Sequence, residues 1–371
     1  MQPGKVIIVG GSVGGLFAGV LLKRAGWQIE IHERSRSGLS GKGAGLVPQH
    51  EVASVLREIG REDVLRTAVV ATERIFLDRD GEVLGMLQTP QAQMSWDLLF
   101  QAWMDEISPK EYHLNHGVRS IDSTLQQATV HFEDGSSQSA DLVLGADGIS
   151  SSVREFVAPE THPHFAGYAA FRGLVPEQQL APKSAEVVSD RFTFFEEQGL
   201  QYLGYTVAGQ NGSIVHGERR YNWVWYRRLS EESYSHTLGQ RNSEKHLYSI
   251  ARGMLPEEAK SELYAAARAQ LPSVLSEIIT QDPLPFLQGI FDYETPVMYR
   301  ARVSLLGDAA FVVRPHTAMG VAKAAADALE LRNALTQETS IENALQRYNL
   351  HRMEAGKAIA QYGRRLGQSL E

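Results

Sequence analysis

The first part of the chain has the hydrophobic pattern of a strand, a helix and a second strand. Residues 5–9 form a short apolar run, residues 16–25 are apolar on nearly every side, and residues 28–33 alternate between polar and apolar positions. A short continuous apolar run is typical of a parallel strand covered on both faces. The pattern therefore predicts a compact βαβ unit at the start of the chain.

Later segments add both helical and sheet patterns. Residues 51–59 carry apolar side chains at helical spacing, whereas residues 168–230 are aromatic and β-rich, which indicates an antiparallel sheet. Residues 302–306 read as another buried strand, and an alanine-rich helix is predicted from Gly320 to about residue 335, followed by a last helix. We expect the helical and sheet portions to be interleaved rather than arranged in series.

Composition narrows the class of protein. The 371 residues include 36 basic and 44 acidic side chains, with 43% hydrophobic and 22% charged residues and a formal net charge of −8. This balance is that of a globular protein and excludes a disordered, collagen-like or coiled-coil chain. The acidic balance, with no cluster of Lys and Arg, argues against a nucleic-acid partner.

Cysteine is absent. This excludes disulfides, zinc–thiolate sites, iron–sulfur clusters and cysteine nucleophiles, and we predict no metal site. The absence fits a reducing, cytoplasmic location. The uncharged stretch from Val6 to Leu22 contains five glycines, so it indicates a buried strand–turn–helix unit rather than a signal or membrane segment.

The first motif with chemical meaning is the glycine-rich turn at residues 10–15. Gly10 allows a tight turn, Gly15 lets the helix pack on the strand, and the helix N-terminus presents amides to a pyrophosphate. Glu33, 18 residues after Gly15, ends the next strand, where it can accept hydrogen bonds from ribose hydroxyls. Ser12 replaces the usual second glycine. The alternative is a tight βα turn without a ligand.

A second motif, Gly-Ala-Asp-Gly at residues 145–148, ends a buried strand and precedes a serine-rich helix start that carries Arg154. Taken alone, it could be a capped turn. The third motif is Gly-Asp-Ala-Ala at residues 307–310, followed by Pro315 and by Gly320 at the start of a helix. Its Asp308 can hold a polyol, while the helix N-terminus faces negative charge.

Together, these three motifs resemble those of the FAD-dependent class A aromatic hydroxylases, the family of para-hydroxybenzoate hydroxylase. The resemblance covers essentially the whole chain. Residues 168–173, 222–226 and 314–324 are similar to the branch that contains 2,6-dihydroxypyridine 3-monooxygenase.

The resemblance implies an α/β fold in which a Rossmann-like FAD-binding domain is interleaved with a substrate domain built on a mixed or antiparallel sheet, with helices at the C-terminus. The discontinuous FAD-binding domain is expected at residues 1–70, 95–167 and 285–371. The substrate-binding domain is expected at residues 71–94 and 168–284.

The implied activity is that of an FAD-dependent, NAD(P)H-consuming monooxygenase. It would hydroxylate an electron-rich aromatic or N-heteroaromatic ring through a flavin hydroperoxide, using O2, non-covalent FAD, and NADH or NADPH as a transient co-substrate. The chain is expected to be a monomer or homodimer. Alternatives are a flavin oxidoreductase of the same fold, a tetracycline-type hydroxylase with a larger pocket, and a non-enzymatic dinucleotide-binding module, which Glu33 and Asp308 disfavour.

The resemblance also implies cofactor contacts. Glu33 would bind the adenosine ribose, Asp308 the ribityl chain, and residues 315–320 would line the flavin ring, while Asp147 and Arg154 belong to a motif linked to FAD and to the nicotinamide donor. The full predicted set is Gly10, Ser12, Val13, Gly14, Gly15, Glu33, Arg34, Asp147, Arg154, Asp308, Pro315, Ala318, Met319 and Gly320. The sequence departs from the family at Phe311, where His is usual, and at Ser95, where Arg is often found.

Five side chains are predicted to orient the substrate. His316 is expected beside the flavin ring, where an imidazole with an ordinary pKa near ~6.5 can accept a proton from a substrate hydroxyl. Gln49 follows the turn at residues 43–45. The other candidates are Tyr205, His216 and Tyr221, which are expected on the sheet. For each of them, the alternative is an ordinary core or rim residue.

Overall fold

The computed structural model describes residues 1–39, 45–239 and 248–370. In chain order, its strands are β1 Lys5–Val9, β2 Gln28–His32, β3 Gly45–Leu46, β4 Val69–Ala71, β5 Glu73–Leu77, β6 Val83–Leu87, β7 Gln91–Ser95, β8 Tyr112–His113, β9 Val118–Ser123, β10 Ala128–Phe132, β11 Ser137–Ala140, β12 Leu142–Gly145, β13 His164–Pro176, β14 Arg191–Glu197, β15 Leu200–Val207, β16 Arg220–Arg228, β17 Ser249–Ile250, β18 Phe286–Glu294, β19 Tyr299–Arg300, β20 Val303–Leu305 and β21 Phe311–Val312.

The α-helices of the described residues are α1 Val13–Arg24, α2 His50–Ile59, α3 Trp96–Met104, α4 Ser152–Val157, α5 Pro182–Val188, α6 Glu231–Leu238, α7 Glu257–Gln270, α8 Ser273–Gln281, α9 Gly320–Gln337 and α10 Ile341–Leu366. Short 3-10 turns cover Glu62–Thr67, Glu177–Gln179, Gly307–Ala309, Pro315–Thr317 and Gln368–Leu370. No helix of these described segments is long and apolar enough to cross a bilayer.

A six-stranded sheet contains the predicted βαβ unit. Its strand order is β19-β20-β12-β1-β2-β8, and all pairings except β19 with β20 are parallel. Strand β1 has the predicted bounds, and α1 begins at Val13, earlier than predicted. Because the strands are parallel, the loops after β1, β12 and β20 meet at one edge of the sheet. These loops carry the three motifs.

A larger sheet faces that edge. Its order is β17-β18-β13-β16-β15-β14-β5-β6, mostly antiparallel, with β14 and β5 pairing in parallel. Helices α5 to α8 cover the side of this sheet that contains a buried aromatic core, including Trp223 and Trp225. The α/β fold class with a mixed sheet is confirmed, whereas the bounds of the two domains stay a prediction.

Candidate functional site

A cavity of about 990 Å³ lies between the motif-bearing loops and the large sheet. We call the loops after β1, β12 and β20, with the segment from residue 313 to α9, the floor. We call the opposite side, the cavity-facing residues of β13–β16 and β18, the wall. The wall combines aromatic and aliphatic side chains with a few polar groups: Arg172, Phe192, Phe194, Gln201, Leu203, Tyr205, Val224, Tyr226 and Gln288.

The glycine turn of the floor has the geometry that the motif predicts. Gly10 has a φ of 104°, in the region that favours glycine, and a Cβ there would overlap the carbonyl oxygen of Ala146. A Cβ at Gly15 would overlap the carbonyl oxygen of Gly10. Neither glycine lines the cavity, but three of the four residues between them do: Ser12, Val13 and Gly14. The N-terminus of α1 therefore opens directly onto the cavity.

Glu33 holds this turn from beneath. Its buried carboxylate accepts hydrogen bonds from the backbone N–H of Gly11 at 2.9 Å and of Ser35 at 2.8 Å. Each oxygen of a carboxylate has a second acceptor position, so a ribose hydroxyl can still be bound there. Neither Glu33 nor the exposed Arg34 lines the cavity.

Asp147 and Arg154 connect two loops of the floor rather than lining the cavity. The Asp147 carboxylate accepts the backbone N–H of Ser152 at 2.8 Å and so caps α4. The buried guanidinium of Arg154 donates to the carbonyl oxygens of Ala309 at 2.9 Å and Asp308 at 2.7 Å. These bonds fix the second motif against the third. A direct contact of either residue with a cofactor stays a prediction.

Asp308 lies in the third loop of the floor, with 49% of its side chain exposed to the cavity. Its Oδ1 is 3.8 Å from Nζ of Lys323, a residue that is 2% exposed. Loss of solvation at this site, deep in the cavity, raises the pKa of Asp308, whereas the positive charges of Lys323 and Arg154 lower it.

Sequence reasoning missed Lys323, although a lysine in an alanine-rich helix was a signal. Within the described parts of the chain, its Nζ has no hydrogen-bond partner. Asp327 Oδ2, at 4.0 Å, is also beyond hydrogen-bond distance and accepts the backbone N–H of Gly307 instead. A buried ammonium without an acceptor is costly, so this part of the floor fits a polar ligand.

The last segment of the floor leads into α9. Pro315, Ala318 and Gly320 line the cavity, whereas Met319 does not. The Gln49 side chain also lines it and donates from Nε2 to the carbonyl oxygen of Ala318 at 2.9 Å. Residues 43 and 44 of the turn predicted to precede Gln49 lie outside the described residues.

His316 lines the cavity as expected, but its environment differs from the expectation. Its Nε2 is 3.0 Å from Oη of Tyr168, and its ring centroid is 4.4 Å from that of Tyr226. Burial and the nearby Arg314 guanidinium lower the pKa of His316 to about 4. The imidazole is therefore neutral at pH 7 and a weaker base than the sequence argument assumed.

The wall brings in one predicted tyrosine and excludes another. Tyr205 lines the cavity and packs edge-on against Phe192, with ring centroids 5.1 Å apart. The prediction that Tyr221 belongs to the site is corrected: it packs with Trp223 and Trp225 in the core behind the sheet. The reason is the alternation of side chains along β16, which turns Val224 and Tyr226, but not Tyr221, toward the cavity.

His216 is also not where it was predicted. It lies in the loop between β15 and β16 rather than on the sheet, with 70% of its side chain exposed and Nε2 3.6 Å from the Glu177 carboxylate. It does not line the cavity. The aromatic pattern around residue 216 indicated a strand, but the chain turns there, and the imidazole faces solvent.

The wall also contains a cationic side chain, Arg172, that was not predicted as a site residue. Arg172 on β13 lines the cavity and donates from Nη1 to Oε1 of Gln288 at 3.0 Å. Its buried Nε has no hydrogen-bond partner among the described residues. Cross-strand pairing places Arg172 beside Val224 on the same face of the sheet, and Leu203 and Phe194 continue the row. A guanidinium is thus set in a largely apolar wall.

Comparison with known proteins shows which family models and characterised relatives the chain matches. A model of the FAD binding domain matches residues 4–188, and a model of an FAD binding domain-like unit matches residues 165–292. The 2,6-dihydroxypyridine 3-monooxygenase of Paenarthrobacter nicotinovorans is 26% identical over 99% of this chain and 91% of its own length. The 6-hydroxynicotinate 3-monooxygenase of Pseudomonas fluorescens is 24% identical over 91% of this chain and 83% of its own length.

The chain belongs to the class A FAD-dependent aromatic hydroxylases. It is a flavoprotein monooxygenase. The solved structure of 2,6-dihydroxypyridine-3-hydroxylase from Arthrobacter nicotinovorans superposes with a TM-score of 0.92 at 26% identity, covering 100% of this chain and 93% of the other. A tetracycline destructase, Tet(51), superposes with a TM-score of 0.74 at 18% identity, covering 100% and 92%, and shares the fold alone.

The floor of this hydroxylase fits FAD. The helix N-termini of α1 and α9 both open onto one cavity, which suits a long anionic dinucleotide. Gly14 lines the cavity without a side chain, and a Cβ there would lie only 3.3 Å from Leu306. The partly exposed Asp308 lines the cavity and supplies an acceptor for polyol hydroxyls, and the buried ammonium of Lys323, 3.8 Å behind it, balances the charge of its carboxylate.

Both departures from the family pattern have structural partners in this hydroxylase. Phe311 is 1% exposed and fills the space beside Gly356, where a Cβ would overlap its ring. Ser95 accepts a hydrogen bond at 3.0 Å from the guanidinium of Arg220, which also lies 3.3 Å from Asp97. An arginine absent from β7 is thus matched by one that reaches Ser95 from β16.

Proposed function

We propose that this hydroxylase acts on a hydroxylated aromatic or N-heteroaromatic ring, bound as an anion between the floor and the wall, with O2 and NAD(P)H as co-substrates. The relatives named 2,6-dihydroxypyridine 3-monooxygenase and 6-hydroxynicotinate 3-monooxygenase support this class of substrate. The aromatic side chains of the wall support a planar apolar ring, because cavities of this kind combine apolar walls with few orienting polar groups.

One observation carries the choice of an anionic ring, namely that the guanidinium-bearing residue Arg172 lines an otherwise largely apolar wall. A guanidinium in a low-dielectric wall is stabilised by an oxyanion or carboxylate, to which it donates charge-assisted hydrogen bonds. Gln288 fixes one end of the guanidinium by accepting a hydrogen bond from Nη1 at 3.0 Å. An ionised ring hydroxyl is also the electron-rich form that reacts with an electrophilic oxygen donor.

The residues of the chain divide the work of this reaction. FAD bound on the floor would supply the redox chemistry, in which NAD(P)H provides two electrons, one oxygen atom of O2 enters the ring and the other leaves as water. Phe192, Phe194 and Tyr226 exclude water from the ring, and Arg172 holds its oxyanion. Gln49 fixes the carbonyl of Ala318 at the edge of the floor.

His316 is better suited to accept a hydrogen bond than to remove a proton. Moving a proton from a phenol-like hydroxyl of pKa about 10 to an imidazole of pKa about 4 spans roughly six units, or about 8 kcal/mol. We therefore assign the stabilisation of the anion to Arg172 and the positioning of Tyr168 to His316.

The test is a screen of the FAD-loaded protein with hydroxypyridines, hydroxybenzoates and simple phenols. We expect compounds with an acidic ring hydroxyl or carboxylate to accelerate NAD(P)H oxidation and to give hydroxylated product in excess of hydrogen peroxide. Acceleration only by bulky polycyclic or non-aromatic compounds would contradict the proposal.

Arg172→Met, with Arg172→Lys as the matched variant, tests the assigned residue. Loss of one charge-assisted hydrogen bond, about 1.5–3 kcal/mol, lowers kcat/KM for an anionic substrate by roughly 10- to 150-fold. Arg172→Lys should recover part of this loss, and both variants should retain FAD. Equal kcat/KM in wild type and Arg172→Met would remove Arg172 from the site.

We also propose a cytoplasmic location and a monomeric or homodimeric state. The lack of cysteine supports the first. Fluorescence microscopy of a tagged chain and sedimentation of the purified protein test them separately.

A further inference from the structure

A cluster of imidazoles lies at the β8 edge of the six-stranded sheet, outside the cavity. Glu30 and His32 are two residues apart on β2, so both side chains project from one face. The parallel register pairs His32 with His113 of β8, which brings the second imidazole beside the first. One ligand atom from each of the three side chains lies within 4.8 Å of the others.

The three side chains converge on one carboxylate oxygen. Oε2 of Glu30 is 3.8 Å from Nε2 of His32 and 3.7 Å from Nε2 of His113. The other oxygen of Glu30 pairs with Nζ of Lys5 at 2.7 Å, which fixes the carboxylate with Oε2 turned toward the imidazoles. Both Nε2 atoms are buried and, within the described ranges, have no hydrogen-bond partner.

A neighbouring imidazole determines the tautomer of His32. Nδ1 of His32 and Nδ1 of His116 are 2.7 Å apart, so one of them carries the shared proton. Nε2 of His116 is 3.3 Å from the Asp134 carboxylate, which places a proton on that nitrogen and leaves Nδ1 of His116 as the acceptor.

The proton of the shared bond therefore belongs to Nδ1 of His32. In this tautomer the buried Nε2 of His32 carries a lone pair. That lone pair faces the carboxylate oxygen of Glu30, which is also an acceptor. Two acceptors turned toward each other in a buried place repel, and a cation between them removes the repulsion.

We propose that Glu30, His32 and His113 form a binding site for a divalent transition-metal ion of the Zn²⁺ class, with His116 as a positioning residue and the fourth coordination position open to water. Two imidazoles and a carboxylate are a ligand set that Zn²⁺ accepts. The donation from Nδ1 of His32 to His116 is the orienting bond that ligating histidines make.

The rings of His32 and His113 are stacked with an interplanar angle of 16°, so one of them must turn before both Nε2 lone pairs can reach one ion. Zn–N and Zn–O bonds of about 2.0–2.2 Å place tetrahedral ligand atoms roughly 3.3–3.6 Å apart, close to the 3.7 and 3.8 Å found here. His113 has 36% of its side chain exposed, which gives the ion a path from solvent.

The site would act on structure rather than on the oxygen chemistry, since none of its residues lines the cavity. It ties the short strand β8 to β2. Tyr112, next to His113, donates from Oη to the carbonyl oxygen of Gly11 at 2.9 Å, so an ion here would also stiffen the glycine turn. The absence of cysteine, on which we predicted no metal site, does not bear on His and Glu ligands, and residues 30–32 and 113 are far apart in the chain.

The experiment uses the full FAD-loaded chain, expressed without a polyhistidine tag and dialysed against a chelator. Zn²⁺ is titrated by calorimetry, and Co²⁺ is used as a probe because its visible absorption reports tetrahedral coordination. We expect one equivalent to bind and the Tm to rise with ion concentration. Absence of binding, or binding that leaves the Tm unchanged, would overturn the proposal.

Variants of the two partly exposed ligands, His113 and Glu30, test the site without a change at the buried His32, which could prevent folding. His113→Gln and Glu30→Gln should each weaken binding by more than ~10-fold while FAD content stays at the wild-type level, and His116→Phe by roughly 10- to 100-fold. His131→Gln, which changes an imidazole paired with Asp122 on another sheet, is the matched control. Wild-type affinity in both ligand variants, or the same loss in His131→Gln, would contradict the assigned ligands.

Discussion

The floor and the wall of the cavity differ in how their residues are supplied. The floor consists of three loops that each follow a parallel strand, together with the segment from residue 313 to α9. The wall consists of alternate residues on strands that pair side by side, such as Phe194, Leu203 and Val224. A floor residue acts through its place in a loop, whereas a wall residue acts through the face of the sheet to which it belongs.

The two regions also differ in chemistry. The floor presents helix N-termini with one carboxylate and a buried ammonium, Asp308 and Lys323, 3.8 Å apart. The wall presents aromatic rings around the guanidinium of Arg172, and Arg74 on β5 of the same sheet also lines the cavity. We therefore expect changes in the floor to affect FAD retention and changes in the wall to affect the substrate.

Asp308→Ala is expected to have the largest effect of the variants considered, and that effect should fall on FAD binding. Loss of a carboxylate that accepts polyol hydroxyls, at about 1.5–3 kcal/mol for each charged hydrogen bond, should raise the Kd of FAD by roughly 10- to 150-fold. Titration of the apoprotein with FAD, followed by flavin fluorescence, measures this. Asp122→Ala, at a side chain that is 85% exposed, is the control. Stoichiometric FAD after prolonged dialysis of Asp308→Ala would contradict the role.

Lys323→Met tests the floor through the pH dependence of FAD binding. The Lys323 ammonium lowers the pKa of Asp308, whereas loss of solvation raises it, so removal of the ammonium raises the pKa of Asp308 further. Since the ionised carboxylate is the better acceptor, FAD should be lost at a higher pH when the variant is acidified than when the wild type is.

FAD retention measured on acidification from neutral pH down through the ordinary carboxyl range at about pH 4 tests this shift. Lys357→Gln, at an exposed position of α10, should behave like wild type. An unchanged midpoint in Lys323→Met would show that Asp308 does not depend on this ammonium.

His316→Asn tests a residue at the boundary between floor and wall. Because the pKa of His316 is lowered to about 4, we expect loss of a hydrogen bond to Tyr168 rather than of a general base. Hydroxylation per NAD(P)H consumed should fall by less than ~10-fold, in keeping with about 1 kcal/mol for one hydrogen bond. Product and peroxide are counted at saturating substrate. A loss of ~10²–10⁴-fold would restore the proton-acceptor role.

The smallest effects should come from a matched pair of tyrosines on the two faces of the large sheet. Tyr205→Phe changes the cavity side, and Tyr221→Phe changes the core side. We expect a change of KM within a few-fold for Tyr205→Phe and none for Tyr221→Phe, whose effect should be confined to a shift in stability of about 1 kcal/mol or less. Equal changes of KM in both variants would break the distinction between the two faces.

Much of the floor could be predicted from the chain alone. The glycine turn, the end of β20 at Asp308 and the helix start at Gly320 are local features, since a tight turn, a strand end and a helix N-terminus each involve a few consecutive residues. The confirmed α/β fold and the placement of Ser12 at the cavity follow from them.

The wall could be predicted only in part. Alternation along β16 separates its side chains into two sets, but the pattern does not say which set faces the cavity and which the helices behind. Tyr221 was therefore assigned to the wrong face, and His216 to a strand where the chain forms a loop. The unpartnered atoms of Arg172 and Lys323 depend on what surrounds them after folding.

The order of the elements and the three loops after the parallel strands thus follow from the chain alone, because neighbouring residues set the backbone conformation at a turn or helix start. The motifs in these loops also indicate the family. Which strand face lines the cavity, the weak basicity of His316 and the approach of Glu30, His32 and His113 became known only from the folded molecule. Burial and contact between residues far apart in the chain arise from packing, which no local pattern specifies.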